Sequence, residues 1–348
     1  MDAATRKKVA DNGILALVAP PTPAEAARMM SDPFDADKRY KGVTWISNAP
    51  WGGADVYLRA YRDMVKNDTD NGVRAVAARA LAFHGTPEDA LAVVPLLKSD
   101  DKRVRQTAAR ALQRLHNPAV IPDLVPLVDQ NGAAVVRIIT VDTEAAAVNA
   151  RSRVAAENGM GDPRRFAAVA AEVSRHESAA RGGLLGEVRG YDAALPPEVA
   201  RALGRVQEAG VSAPIALGSG GGFALVMVEK RLPGEQDHDT RQAAASALGQ
   251  YADPRALAAL IYALNDDDLA VSRTARQSLR TLTGTDAGDE PKNWEAWASG
   301  TGTPFAGQTR YLYPNFERGK YFWEYIPLVP PPPNEPASTP IGYRPPGT

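Results

Sequence analysis

Side chains able to carry out acid–base or metal chemistry are few and widely spaced in this sequence. Its 348 residues include four histidines and no cysteine, which excludes disulfides, thiolate metal ligands and a cysteine nucleophile. His84, His116 and His238 fall at predicted helix ends or in acidic turns, and none has another histidine or a carboxylate cluster at metal-ligand spacing. We therefore expect no metal and no cofactor, and His176 remains to be considered for catalysis.

Two other kinds of motif have the composition of ion-binding loops, but their positions favour structural roles. The glycine-rich run at residues 218–222 leads into the apolar stretch Phe223 to Val228 rather than into a helix, which favours a hairpin turn over a phosphate loop. The acidic turns at residues 99–101 and 266–268 precede predicted helices, where a side-chain oxygen caps the first turn. Capping is therefore favoured over calcium binding.

A helical motif that recurs four times sets the architecture around these residues. The copies begin at Val73, Val104, Thr240 and Val271, and each combines apolar residues at helical spacing with small alanines that allow close packing. Within each pair the copies are 31 residues apart, whereas Val104 and Thr240 are 136 apart, 105 more than one period. An independent domain of about that length is therefore predicted between the second and third copies.

A second helix is predicted after the first three copies, at residues 87–97, 118–128 and 254–264, with proline near its first position. Such a helix pair cannot bury its apolar face alone, so neighbouring pairs must stack into an α-solenoid. The pattern resembles short HEAT repeats of a planctomycete type. Residues 37–64 are predicted to form a further, worn copy that caps the array, and residues 282–297 are predicted to close its other end.

The inserted segment predicts a compact α+β domain. Residues 135–141 have the pattern of a strand, and helices are predicted at 143–156, 164–174 and 195–206 before a closing strand at 223–228. The predicted fold class is therefore an α-solenoid interrupted by an inserted α+β domain.

Four blocks of the insert, in order, resemble landmarks of the parvulin family of peptidyl-prolyl isomerases. They are residues 166–170, the Ala-Arg-Gly-Gly-x-Leu-Gly block at 180–186, the Gly-Val-Ser-x-Pro block at 210–214, and residues 222–226. The resemblance covers nearly the whole insert. It implies binding of an extended X-Pro segment and rotation of its prolyl amide, whose unaided barrier is about 18–20 kcal/mol.

The resemblance also implies which residues contact the peptide. Leu195 and Val199 fall where the family has the apolar pair that forms a shelf for the proline ring. Ile138 and Ala224 fall where the family has histidines on its first and last strands, so both imidazoles are replaced. With Phe223 beside Ala224, these five are the predicted peptide-binding residues.

His176 lies two residues after Ser174, where the family usually has cysteine or aspartate. The resemblance makes it the candidate catalytic residue; the alternative is a histidine of a surface loop, since isomerisation requires no proton transfer. Asp142 and Glu144 follow the first strand, where family members that select phosphorylated residues carry basic side chains. Phosphate recognition is therefore not expected.

Charge and hydropathy limit the kinds of partner. The net charge of −1, without a basic cluster, argues against nucleic acid, and no apolar stretch approaches the roughly 18 residues that span a bilayer. The first 30 residues lack a basic start followed by an apolar run. The compartment stays open: the cell envelope or periplasm if a leader has been removed, and the cytoplasm otherwise.

We divide the chain into five predicted parts: an N-terminal extension at residues 1–36, repeats at 37–130, the parvulin-like insert at 131–235, further repeats with a cap at 236–300, and an extended aromatic and proline-rich tail at 301–348. One functional hypothesis is an interaction scaffold or chaperone-like adaptor whose degenerate insert binds proline-containing segments. Another is an active peptidyl-prolyl isomerase tethered to a binding array. A third is an insert that binds a partner through its sheet edge and binds no proline.

Overall fold

The computed structural model describes residues 21–49, 51–192 and 195–309, so most of the predicted tail and of the N-terminal extension lies outside the described residues. The chain divides into two compact units, and the second one spans Ile121–Thr309. No helix among the described residues is both long and apolar enough to cross a membrane.

The described part of the first unit is a succession of packed helices. They are α1 (Pro23–Met30), α2 (Ala36–Ser47), α3 (Asp55–Asn67), α4 (Asn71–His84), the short α5 (Ala90–Val93) and α6 (Lys102–Leu115). The first two repeat copies form α4 and α6, which pack together, and residues 37–64 form the predicted helix pair. The Asp101 carboxylate accepts hydrogen bonds from the backbone N–H groups of Arg103 and Val104, which confirms the predicted capping role of the acidic turn.

The second unit begins with α7 (Ile121–Leu124) and a 3₁₀ turn (Val125–Val128), and continues into the insert. The insert consists of β1 (Ala134–Val141), α8 (Glu144–Val154), α9 (Pro163–Val173), β2 (Leu184–Val188), α10 (Pro197–Leu203), β3 (Ile215–Ala216) and β4 (Phe223–Arg231). Its four strands form one sheet in the order β2-β1-β4-β3, with every neighbouring pair antiparallel. The α+β class predicted for the insert is confirmed.

Two strands were missing from the predicted order. β2 and β3 are only five and two residues long and lie at the two sheet edges, so neither shows a clear alternation of apolar and polar residues. The glycine run joins β3 to β4 in an antiparallel hairpin, in which the backbone N–H of Leu217 donates to the Gly222 carbonyl at 2.9 Å. The hairpin prediction is confirmed.

The sheet of the insert is covered on both faces. One face carries Ile139 and Leu225 and packs against α8 and α9, and the other carries Ile138 and Val226 and packs against α10. This division follows from the alternation of side chains along a strand. The candidate site belongs to the α10 face.

Helices resume directly after the insert. They are α11 (His238–Leu248), α12 (Pro254–Ala263), α13 (Leu269–Thr283) and α14 (Pro291–Gly300). α11 packs against α7 and against the turn Val125–Val128, both of which precede the insert in sequence. The helical stack therefore continues past an inserted domain, as the break in repeat spacing predicted.

The two chain segments that join the insert to the helices form a close neck. The backbone N–H of Leu232 donates to the Ala133 carbonyl at 2.8 Å, and that of Glu235 donates to the Asp129 carbonyl at 2.9 Å. Gly132 has a φ of 73°, and a Cβ atom there would lie 2.1 Å from the Leu232 carbonyl oxygen. The neck therefore requires glycine at this position.

The second helices of the repeats are less regular than predicted. Residues 87–98 and 118–128 alternate between 3₁₀ turns and single α-turns, whereas α12 is a regular α-helix. Pro95, Pro122 and Pro126 account for the difference, because an internal proline lacks the N–H group and crowds the preceding turn. The prediction of continuous helices was wrong for these two segments.

Candidate peptide-binding site

Four of the five predicted peptide-binding residues lie together. Ile138, Leu195, Val199 and Ala224 belong to one apolar cluster on the α10 face of the sheet. Ala224 is the cross-strand partner of Thr140, two residues along β1 from Ile138, and α10 brings Val199 to the same cluster. We call this cluster the shelf.

Phe223 is not part of the shelf. Its half-buried side chain packs against the cluster that faces α8 and α9. Successive side chains of a strand point to opposite faces, so Phe223 and Ala224 cannot both contribute to one face. The structure does not bring Phe223 together with the other four.

The centre of the shelf is closed. Ile138 is 1% exposed, and Val199 and Ala224 are both 0% exposed. Three half-buried side chains, Leu185, Ile215 and Leu217, pack around the same cluster and form what we call the rim. The rim offers accessible apolar surface next to the shelf.

Sequence reasoning missed the rim. Leu185 lies within the Gly-Gly-x-Leu-Gly block. The register between β1 and β2 is irregular, because Val136 pairs with Gly186 and Arg137 with Leu184. The sequence therefore did not show on which face of the sheet Leu185 lies. Leu217 lies next to the short strand β3. The signal that was available for Leu185 was its place in a block already used for the family resemblance.

Two hydrogen bonds of the Thr140 backbone hold the loop after α9 beside β1. The Thr140 N–H donates to Ser174 Oγ at 3.1 Å, and the Arg175 N–H donates to the Thr140 carbonyl at 2.9 Å. Arg175 also forms an ion pair with Asp142 just beyond the end of β1. The loop that carries His176 is thus fixed beside the strand that carries Ile138.

His176 has a local structural partner. Its Nδ1 accepts a hydrogen bond from the Ser178 N–H at 3.1 Å and lies 2.8 Å from Ser178 Oγ, so the side chain caps the 3₁₀ turn Glu177–Arg181. One ring nitrogen is therefore engaged in capping. Nε2 is the ring nitrogen left for contact with a ligand.

The chemistry available at the shelf is that of hydrocarbon. The shelf and its rim consist of aliphatic side chains. The nearby Glu198 carboxylate on α10 lies beside Gly218, next to Leu217 of the rim. An aliphatic surface can bind a proline ring and exclude water from its amide, but it cannot transfer a proton. The described residues also contain no group of three or more histidines and carboxylates able to hold a metal.

Two family models match the chain. The one described as HEAT repeats matches residues 59–143 and 226–290, and the one described as the PPIC-type PPIase domain matches residues 136–230. The chain carries HEAT repeats interrupted by a parvulin domain. The family resemblances predicted from the sequence are confirmed, and both kinds of domain bind proteins or peptides.

The similar solved structures have low identity to this chain. The peptidyl-prolyl isomerase PrsA from Bacillus cereus is 15% identical, with coverage of 78% of this chain and 92% of PrsA and a TM-score of 0.29. Human deoxyhypusine hydroxylase is 16% identical, with coverage of 79% and 93% and a TM-score of 0.24. A search of curated proteins finds no match. The domain assignments rest on the family models.

Proposed function

We propose that this chain is a chaperone-like interaction scaffold, in which the HEAT repeats bind a protein client and the parvulin domain binds proline-containing segments of it. The supporting observation is the composition of the shelf: Ile138 and Ala224 occupy the two strand positions where the family resemblance implies histidine, and both are buried in hydrocarbon. Binding by such a surface needs no acid or base. The histidines that the family resemblance implies for efficient isomerisation are absent from these two positions.

The proposed contact surface is the rim together with the outer edge of the shelf. Leu185, Ile215 and Leu217 remain partly accessible, and an X-Pro segment that lies across them would cover apolar area. Each buried methylene contributes about 0.8 kcal/mol, so a proline ring on this surface gives modest affinity. The HEAT repeats would then supply the remaining affinity by keeping the client nearby.

An active isomerase is the second candidate function. Prolyl rotation involves no covalent step and no obligatory proton transfer, and the parvulin domain has a four-stranded sheet with helices on both faces. His176, whose Nε2 is not used in its cap, is the candidate polar group for this function. Acceleration of rotation, rather than binding alone, distinguishes this candidate from the scaffold.

A charge on the rim separates these possibilities. Leu217→Asp is expected to weaken binding of an unphosphorylated Ala-Pro peptide at least about tenfold, because an aspartate must stay hydrated where the proline ring would lie. Binding is followed by NMR titration of the full chain, and isomerisation by a protease-coupled assay on the same peptide. Val148→Asp is the matched control, because Val148 is 53% exposed on α8, which packs against the opposite face.

The outcomes are distinct. Peptide binding lost in Leu217→Asp but kept in Val148→Asp, without acceleration by the wild type, supports the scaffold. Acceleration by the wild type that His176→Asn abolishes would instead favour the isomerase. No binding by the wild type would exclude both and leave the sheet edge as the contact surface. Leu195 and Val199 are poor test positions, because at 7% and 0% exposure a charge there would disrupt the core.

A further inference from the structure

The segment that leads from β2 to the shelf is attached to the HEAT helices. This segment, residues 189–192, precedes Leu195, and the Leu195 N–H donates to the Asp192 carbonyl at 3.0 Å. Two of its side chains, Arg189 and Tyr191, reach residues that lie outside the parvulin domain. We call the contacts of Arg189 with Asp129, and of Tyr191 with Val125 and Tyr262, the latch.

The ionic part of the latch is buried. The Asp129 side chain is 0% exposed; its Oδ1 accepts hydrogen bonds from the N–H groups of Asn131 and Gly132, and its Oδ2 pairs with Arg189 Nη1 at 3.0 Å. Burial raises the pKa of Asp129, and the Arg189 guanidinium opposes that rise. Arg189 is therefore the residue that compensates a carboxylate buried at the base of the neck.

The aromatic part of the latch joins the segment to α12. The Tyr191 hydroxyl donates to the Val125 carbonyl at 3.1 Å, and its ring meets the ring of Tyr262 edge-on at 5.3 Å. The Tyr262 hydroxyl accepts from Asn131 Nδ2 at 2.6 Å. The Tyr262 ring also lies against Gly190, where a Cβ atom would come within 2.8 Å of it. Gly190 and Tyr191 thus contact α12, and Arg189 binds Asp129 directly after the turn Val125–Val128.

Packing does not hold Leu195 from every side. Leu195 belongs to the shelf cluster, but it also lines a cavity of about 520 Å³. The cavity is bounded on its other side by residues of α12 and α14, including Ile261 and Ala298. Since this space would admit movement of Leu195 away from the shelf, the hydrogen bonds of the latch carry the restraint.

We propose that the latch is a positioning device, by which the HEAT helices hold Leu195 against the shelf and so set the affinity of the parvulin domain for proline-containing peptides. The proposal rests on the proposed function. None of Asp129, Arg189 and Tyr191 belongs to the shelf or the rim. The backbone hydrogen bonds of the neck do not involve Arg189 or Tyr191, so loss of these two side chains releases the segment while the domain stays attached.

The test compares latch variants in the full chain. Tyr191→Ala is expected to weaken binding of an unphosphorylated Ala-Pro peptide about five- to tenfold, a size typical of coupling between sites. It is also expected to increase amide hydrogen exchange over Pro197–Leu203 while exchange over Pro163–Val173 stays unchanged. The double variant Asp129→Asn/Arg189→Met, which leaves no unpaired charge, is expected to have the same two effects. Arg189→Lys is expected to retain most of the wild-type affinity.

Arg153→Met is the matched control. Arg153 pairs with Glu172 between α8 and α9, so its loss removes an ion pair of the same domain away from the latch. Unchanged exchange over Pro197–Leu203 in the latch variants would overturn the proposal, as would increased exchange with unchanged affinity. If the wild type binds no peptide, the proposed function falls; a selective rise in exchange would then still support the latch as the restraint on Leu195.

Discussion

His84 closes the end of α4 against the turn between α2 and α3. Its Nε2 donates to the Ser47 carbonyl at 2.6 Å, and the ring packs against Gly52 and Gly53. Burial lowers the pKa of His84, and the Ser47 carbonyl acts in the opposite direction. The imidazole is thus held in a position that favours its neutral form.

A pH-dependent stability of this region follows from that shift. The folded pKa lies below the unfolded value of about 6.5, so the unfolded chain takes up the proton first as the pH falls. The contribution of His84 is therefore complete above about pH 6.5 and decreases as the pH falls towards the folded pKa. We expect the amide protection factors at the end of α4, which correct for the intrinsic slowing of exchange at lower pH, to fall between pH 7 and pH 5.

His84→Gln provides the comparison, because glutamine has an amide donor and no titration in this range. The variant is expected to lose this fall in protection, whereas His238→Gln should retain it, since His238 is exposed at the start of α11. An identical pH response in wild type and His84→Gln would contradict the assignment.

At the scale of single residues, the sequence indicates which residue type occupies each strand position, but not which face of the sheet its side chain lies on. The family resemblance implies histidine at the positions of Ile138 and Ala224, and the structure places both residues in one apolar cluster. Phe223 was predicted to bind the peptide together with Ala224, although neighbouring side chains of a strand lie on opposite faces. Leu217 was not assigned at all, because a two-residue strand gives no periodicity.

At the scale of elements, the neck is the point where the parvulin domain depends most on backbone geometry. Gly132→Ala is expected to destabilise the protein by more than about 3 kcal/mol, because alanine at positive φ is strained and its Cβ would overlap the Leu232 carbonyl. Denaturant unfolding followed by circular dichroism measures the change.

Gly220→Ala is the matched control for the neck. Gly220 also has positive φ, at 79°, but no atom lies within 4 Å of the Cβ position. Its loss of stability should therefore be limited to the backbone strain, about 1–2 kcal/mol. Equal effects of the two substitutions would show that steric closure of the neck contributes nothing.

The regular helices were predictable because their apolar period and capping aspartates are local signals. Asp101 and Asp268 each cap the helix that follows them, as the two acidic turns indicated. The latch was not predictable, because Arg189 and Asp129 are 60 residues apart and nothing local marks them as partners. Contacts between the inserted domain and the helices around it can be identified only from the three-dimensional structure.

At the scale of the whole molecule, the insert and the helices around it have separate cores. The sheet of the parvulin domain packs against its own helices, and α11 packs directly against α7 and the turn Val125–Val128. The two chain segments of the neck are already paired where Ala133 meets Leu232. We therefore expect these helices to pack whenever the neck is closed, whether or not the insert is present.

Excision of the insert tests this independence. A variant in which an Asn-Gly turn replaces residues 134–231 is expected to fold, because that turn closes a two-stranded antiparallel connection without strain. It must also carry Asp129→Asn, since removal of Arg189 would otherwise leave a buried carboxylate without its partner. Circular dichroism should show mainly helix with cooperative thermal unfolding. A version that keeps Asp129 should be less stable by about 3 kcal/mol, and failure of both versions to fold would show that the parvulin domain is an integral part of the helical stack.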